Sequence, residues 1–194
     1  SANMTMKKTL YVNLFGGPGV GKSTLSAGLF WYFKTNKSTL KHNFVVELVR
    51  EFAKDLVWAQ DLYTLKDQVY VTSTQYHRMY ILNGKVDIAI TDSPLLLGLL
   101  YGDYPPSYKQ YLLDLHKTFN NLNIYVVRKE PYEQEGRRQN EAEAIAKDIE
   151  IKNLLLENNI DFIEYKEKFT YDSLHKIASL IIDRFGIIND YVSR

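Results

Sequence analysis

An α/β fold with a parallel sheet is what this sequence predicts, and three observations predict it. Short apolar and β-branched runs alternate with stretches of helical periodicity from Leu10 to Phe185. Several of the runs are apolar almost throughout, as strands covered on both faces are. The first of them stops at a glycine-rich turn that leads directly into a helical pattern.

Taken in order, Leu10–Phe15 reads as a buried strand entering a tight loop at Gly16-Gly17-Pro18-Gly19. From Lys22 the spacing is helical, with Leu25, Leu29 and Phe33 on one face. Phe44–Val49 is a second strand, followed by a helix over Arg50–Gln60. Asp67–Leu82 is a further helix, ended by Asn83-Gly84, and Val86–Thr91 the third strand. Pro94 suits a first helical position with Ser93 as its cap. A turn over Asp103–Pro106 precedes a helix over Tyr108–Phe119, and Asn123–Val127 is the fourth strand. Arg128–Arg138 is a charged connection, Glu141–Leu156 a long helix, Asp161–Tyr165 the fifth strand, and Tyr171–Phe185 a closing helix. No internal repeat or low-complexity linker interrupts the series.

The length of 194 residues suits one domain over 1–194, with Ser1–Asn3 ahead of Met4 read as an expression remnant. Lys plus Arg number 24 against 23 Asp plus Glu, a net charge of +1 that gives no polybasic or acidic partner signal. The 45% hydrophobic and 24% charged content excludes a disordered chain. The absence of cysteine excludes disulfides, thiolate nucleophiles, Fe–S clusters and Cys-based zinc sites. His42, His77, His116 and His175 match no metal-ligand spacing. The apolar run at Leu10–Phe15 is too short for a signal sequence or a membrane span, so the expectation is a cytoplasmic protein with no membrane partner.

One motif decides the class of chemistry. Gly16-Gly17-Pro18-Gly19-Val20-Gly21-Lys22-Ser23 fits G-x-x-x-x-G-K-[ST], and Thr24 follows. Glycines let the backbone turn its N–H groups toward phosphate oxygens, and the next helix presents its positive end to them. Lys22 is placed to reach the β- and γ-phosphates and Ser23 to hold Mg²⁺. The motif lies after a strand and before a helix, where that mechanism needs it.

Asp92 ends an apolar strand, the position of a carboxylate that orders Mg²⁺. The bland reading is an acid at a helix N-terminus. Ser93 follows it, whereas a strand-end Asp-Glu pair supplies the water-activating base in many P-loop motor ATPases, so a motor is disfavoured. No Asn-Lys-x-Asp motif occurs, which disfavours a guanine-nucleotide switch.

Residues 128–140 carry Arg128, Arg137 and Arg138 just after the fourth strand. Charge runs are usually solvated loops, but a kinase needs a lid here whose arginines clamp phosphates bidentately and exclude water. Glu47, Arg50 and Glu51 lie where the second strand turns into helix, near the crevice where parallel sheets bind ligands. A carboxylate there can take a proton from an acceptor hydroxyl. Equally, Glu47 suits an outward strand position, and Glu51 a helix-dipole partner. Gln75 and Arg78, at i and i+3, suit either a base-reading pair or an exposed polar face.

These blocks resemble the small P-loop kinases of the nucleoside and nucleotide kinase group. They are Gly16–Thr24, Glu47-Leu48-Val49-Arg50-Glu51-Phe52-Ala53-Lys54, Asp92-Ser93-Pro94-Leu95-Leu96 and Gly136-Arg137-Arg138-Gln139. The chain looks most like short ATP-binding proteins of large bacteriophages, similar to the nicotinamide-riboside kinase branch. The resemblance implies a three-layer α/β/α sandwich with a five-stranded, mainly parallel sheet and an arginine-bearing lid. It implies ATP and Mg²⁺ as cofactors and transfer of the γ-phosphoryl group to a hydroxyl, in the host cytoplasm if the chain is phage-encoded. By the same resemblance Glu47 or Asp92 is the base, and Gln75 with Arg78 lines the acceptor pocket. The acceptors it offers are nucleosides, nucleotides, or hydroxymethylated pyrimidines in DNA. The near-neutral charge and the short chain favour a small acceptor, since DNA contacts need several cations and base extrusion a dedicated element. A regulatory NTP-binding module with slow hydrolysis is the expectation from another class.

Overall fold

The chain enters the sheet at β1 (Leu10–Phe15) and passes through the glycine-rich loop into α1 (Lys22–Thr35). It continues through β2 (Val46–Val49), α2 (Phe52–Trp58), α3 (Leu62–Lys66), α4 (Gln68–Tyr80) and β3 (Ile88–Thr91). A 3₁₀ helix (Leu95–Leu100), α5 (Pro106–Lys117), β4 (Asn120–Val126), α6 (Arg138–Glu157), β5 (Ile163–Tyr165) and α7 (Tyr171–Asn189) complete it. The computed structural model describes residues 7–37, 40, 42–129 and 138–190.

The 5-stranded sheet runs β2-β3-β1-β4-β5, every pairing parallel. Parallel pairing requires crossovers, and the helices that make them cover both faces. Side-chain alternation on β1 shows this directly. Leu10, Val12 and Leu14 pack with Leu25, Leu29 and Phe33 of α1 and with Ile177, Ala178 and Ile181 of α7. Tyr11 and Phe15 point the other way, toward Met79, Leu95, Leu96, Ile151 and Leu155. The result is an α/β/α sandwich of the P-loop NTPase type.

The order also positions the site. The strand order reverses at β1, where a parallel sheet opens its ligand crevice. The segments leaving β1, β3 and β4 therefore converge beyond one end of the sheet: the glycine loop, Asp92 and Arg128.

Some boundaries differ from the sequence expectation. The helix expected over Arg50–Gln60 is the shorter α2, which ends before Gln60 adopts φ 56°, and an unexpected short helix, α3, follows, capped by Asp61, which accepts from the Thr64 N–H at 3.1 Å. The expected cap at Ser93 is absent. Pro94 is extended (φ −56°, ψ 145°) and the 3₁₀ helix starts at Leu95 with no side-chain cap. A residue before proline is held out of the helical region, so Ser93 stays outside the turn. β4 begins at Asn120 rather than Asn123, because pairing with β1 from Leu10 onward supplies backbone partners to the polar stretch. No described helix is long and apolar enough to cross a membrane.

Candidate active site

The loop between β1 and α1 has the form of an anion cradle. Gly21 flanks α1 at φ 107°, ψ 16°, a left-handed conformation that favours glycine. No side chain caps α1, and its first turn carries no acidic residue. Its leading N–H groups and dipole are thus open to an anion. Lys22 begins the helix, and its ammonium donates to the carbonyls of Gly16 and Gly17. Burial pushes the Lys22 ammonium below its usual range; Glu51, Asp92 and Asp148 oppose the shift and Arg128 adds to it. A cation folded over neutral carbonyls is poised for a stronger acceptor.

Beside it, the Ser23 hydroxyl donates to Asp92 Oδ2 at 2.8 Å. Two hard oxygen groups from separate elements meet at the helix start, a fit to Mg²⁺, which takes few protein ligands and completes its shell with waters and substrate phosphates. Among the described residues there is no cluster of three or more His, Cys, Asp or Glu that would cage a metal without such help.

A cleft of about 480 Å³ opens from this point, lined by the loop, Glu51, Gln75, Asp92, Leu97 and Tyr101. Burial pushes the Glu51 carboxyl above the usual carboxylate range, and the charge of Asp92 pushes it further, against Lys54 and Lys22. Glu51 stands at the N-terminal edge of α2 without capping it. Gln75, reaching from α4, does so instead: its Oε1 accepts from the Phe52 N–H at 2.9 Å. Gln75 is only 5% exposed, and its Nε2 donor has no partner among the described residues. A buried amide half-satisfied by the scaffold costs free energy unless something in the cleft accepts from it.

The structure brings together Gly17–Thr24, Glu51, Gln75 and Asp92. Arg50 lines an outer cleft that shares Ser23, Glu51 and Asp92. Glu47 is exposed and lines neither cleft. It precedes the carboxyl end of β2, beyond which the crevice opens. Arg78 does not line the pocket either. Its guanidinium donates to the Arg50 carbonyl at 3.2 Å and to Asp55 at 2.8 Å and lies over the Phe52 ring, fastening α2 to α4. Most of the expected lid, including Arg137 and the side chain of Arg138, lies outside the described residues.

Asp148 was not expected from the sequence. It is buried on α6, accepts from the Gly17 N–H at 2.6 Å and pairs with Arg128 Nε at 2.7 Å. Its signal was available: a carboxylate on the stripe Ala144, Asp148, Ile151, Leu155, otherwise apolar and all buried.

Known proteins share this architecture. A thymidylate kinase from Ehrlichia chaffeensis aligns over 91% of this chain and 98% of its own, at 14% identity and TM-score 0.57. A structure of NadR protein in complex with NR aligns over 97% of this chain and 53% of its own, at 14% identity and TM-score 0.53. Likeness at such identity shows the fold. No curated protein matches. A family model, AAA_28, described as "AAA domain", matches residues 11–170. The chain belongs to that family of P-loop domains.

Proposed function

We propose that the chain is a phosphotransferase that moves the γ-phosphoryl group of ATP, with Mg²⁺, to a hydroxyl of a nucleoside or nucleotide. The observation that carries the reading is one cleft that holds more than a phosphate site. Beside the open helix N-terminus, Lys22 and the Ser23–Asp92 pair, it is lined by the Glu51 carboxyl and by Gln75, whose Nε2 donor has no partner among the described residues. A nucleotide-hydrolysing module needs only the phosphate-binding groups. The structural neighbours, one named a thymidylate kinase, agree with a nucleotide-type substrate.

Catalysis of this transfer is mainly positioning and charge neutralisation. Lys22 and the α1 N-terminus hold the phosphates. Mg²⁺ held by Ser23 and Asp92 would neutralise charge on the β- and γ-oxygens. Glu51 accepts the hydroxyl proton as the acceptor oxygen bonds to the γ-phosphorus and the bond to the β–γ bridging oxygen breaks, releasing nucleoside diphosphate. Burial, which raises its proton affinity, suits it to that role. Gln75 Nε2 donates to a carbonyl or ring nitrogen of the acceptor base. A free nucleoside or nucleotide is favoured over a base in DNA, because a net charge of +1 offers little for a polyanion.

Steady-state ATP consumption with and without a mixture of nucleosides and nucleotides tests the reading. Stimulation by the mixture is expected. Slow ATP hydrolysis that no acceptor stimulates would point instead to a regulatory nucleotide-binding module.

A further inference from the structure

The glycine loop is seated on α6 through a single carboxylate. Asp148 Oδ1 accepts from the Gly17 N–H at 2.6 Å and from Arg128 Nη2 at 3.1 Å, and Oδ2 accepts from Arg128 Nε at 2.7 Å. Arg128 Nη2 also donates to the Pro18 carbonyl at 2.7 Å. The packing leaves no slack. A Cβ at Gly17 would stand 2.3 Å from Asp148 Oδ1 and 2.8 Å from the Ala144 carbonyl. The other edge of the guanidinium faces the loop rim, since a Cβ at Gly19 would meet Arg128 Nη1 at 3.9 Å.

The loop's N–H groups and α1 serve to attract anions, yet here one N–H is bonded to a fixed buried anion. That anion would repel a triphosphate unless neutralised. Arg128 neutralises it in fork geometry, which also fixes the plane of the guanidinium and leaves Nη1 directed at the loop. We propose that Asp148 is a positioning residue for the nucleotide: it pins the first turn of the loop at Gly17 and presents Arg128 to the phosphates. The inference rests on the reading of this loop as the ATP site.

A purely structural ion pair and a positioning pair make different predictions for ATP affinity. In the positioning account Arg128→Ala both loses a phosphate donor and uncovers the Asp148 charge, whereas the double variant removes the charge as well. The measurement is calorimetric affinity for Mg²⁺-ATP, with a melting curve for each protein, across wild type, Arg128→Ala, Asp148→Asn, the double variant and Lys22→Ala. Arg128→Ala is expected to weaken binding about 10- to 100-fold, the range for hydrogen bonds to charged groups. Asp148→Asn, whose amide oxygen still accepts from Gly17, is expected to weaken it about 3- to 10-fold. The double variant should bind at least about threefold more tightly than Arg128→Ala. Should Arg128→Ala fail to fold, Arg128→Lys keeps the charge and loses the fork, and should bind at least about threefold more weakly than wild type.

Wild-type affinity in Asp148→Asn, or no recovery in the double variant, overturns the inference while a loss in Lys22→Ala leaves the ATP site standing. Undiminished affinity in Lys22→Ala overturns the ATP site and the inference with it.

Discussion

The Ser23 hydroxyl donates a 2.8 Å hydrogen bond to Asp92 Oδ2, joining the start of α1 to the end of β3 across 69 positions of sequence. Asp92→Asn preserves an acceptor for that bond and removes only the charge. The fold should survive, with an unchanged melting temperature, while acceptor-dependent ATP turnover at saturating Mg²⁺ falls about 100-fold or more. Turnover equal to wild type would reduce Asp92 to a residue of the β3 terminus.

Glu51 should show itself in the pH–rate profile. Its carboxyl sits above the usual carboxylate range, and as a base it works deprotonated. kcat/KM should therefore rise with pH through a midpoint displaced above the ordinary carboxylate range. Glu51→Gln should abolish that limb and lower kcat about 10²- to 10⁴-fold. Asp92→Asn removes the neighbouring negative charge, so in that variant the midpoint should move to lower pH. A limb unmoved in both variants would assign the titration to another group.

Gln75 separates scaffold from recognition within one side chain. Gln75→Glu keeps an oxygen for the Phe52 N–H and loses the unpaired Nε2 donor. The KM of the acceptor should rise about tenfold, with the KM of ATP changed less than about twofold. Equal rises in both would mean that Gln75 only holds α2 in place.

His116, buried on α5, should make stability depend on pH. Burial and the adjacent Lys117 charge push its imidazole down to about 4, from the ordinary histidine value of 6.5. Between these values the unfolded chain binds a proton that the folded chain does not. Stability is therefore full above the unfolded value and falls as pH drops toward 4, by at most about 3 kcal/mol. Urea unfolding at pH 7 and pH 5 measures the difference, and His116→Gln should flatten it.

What was legible in the sequence is what local chemistry dictates. Gly16–Ser23 announces its own strand-loop-helix context, and Asp92 closes an apolar strand that admits few other charged readings. Placement across the sheet was less legible. Gly17 and Asp148 are separated by 131 positions, and only the β1–β4 pairing and the return of α6 bring them together. Glu47 and Glu51 lie four positions apart at a strand end, and the resemblance named Glu47, not Glu51, as a candidate base. The structure separates them because the crevice begins past Val49, leaving Glu47 exposed on the edge strand and Glu51 at the cleft. Gln75 and Arg78 shared a helix face by spacing, yet the Arg50 carbonyl, Asp55 and the Phe52 ring hold Arg78 away from the pocket.

The fate of the γ-phosphoryl group separates transfer to an acceptor from hydrolysis. ATP labelled at the γ-position is offered with Mg²⁺ and a panel of free nucleosides, nucleotides, and plain or hydroxymethyl-containing DNA, with Lys22→Ala run in parallel. Label is expected in a free nucleoside or nucleotide and is expected to be lost in Lys22→Ala. Label found only in inorganic phosphate, or in no product, would contradict transfer to an acceptor.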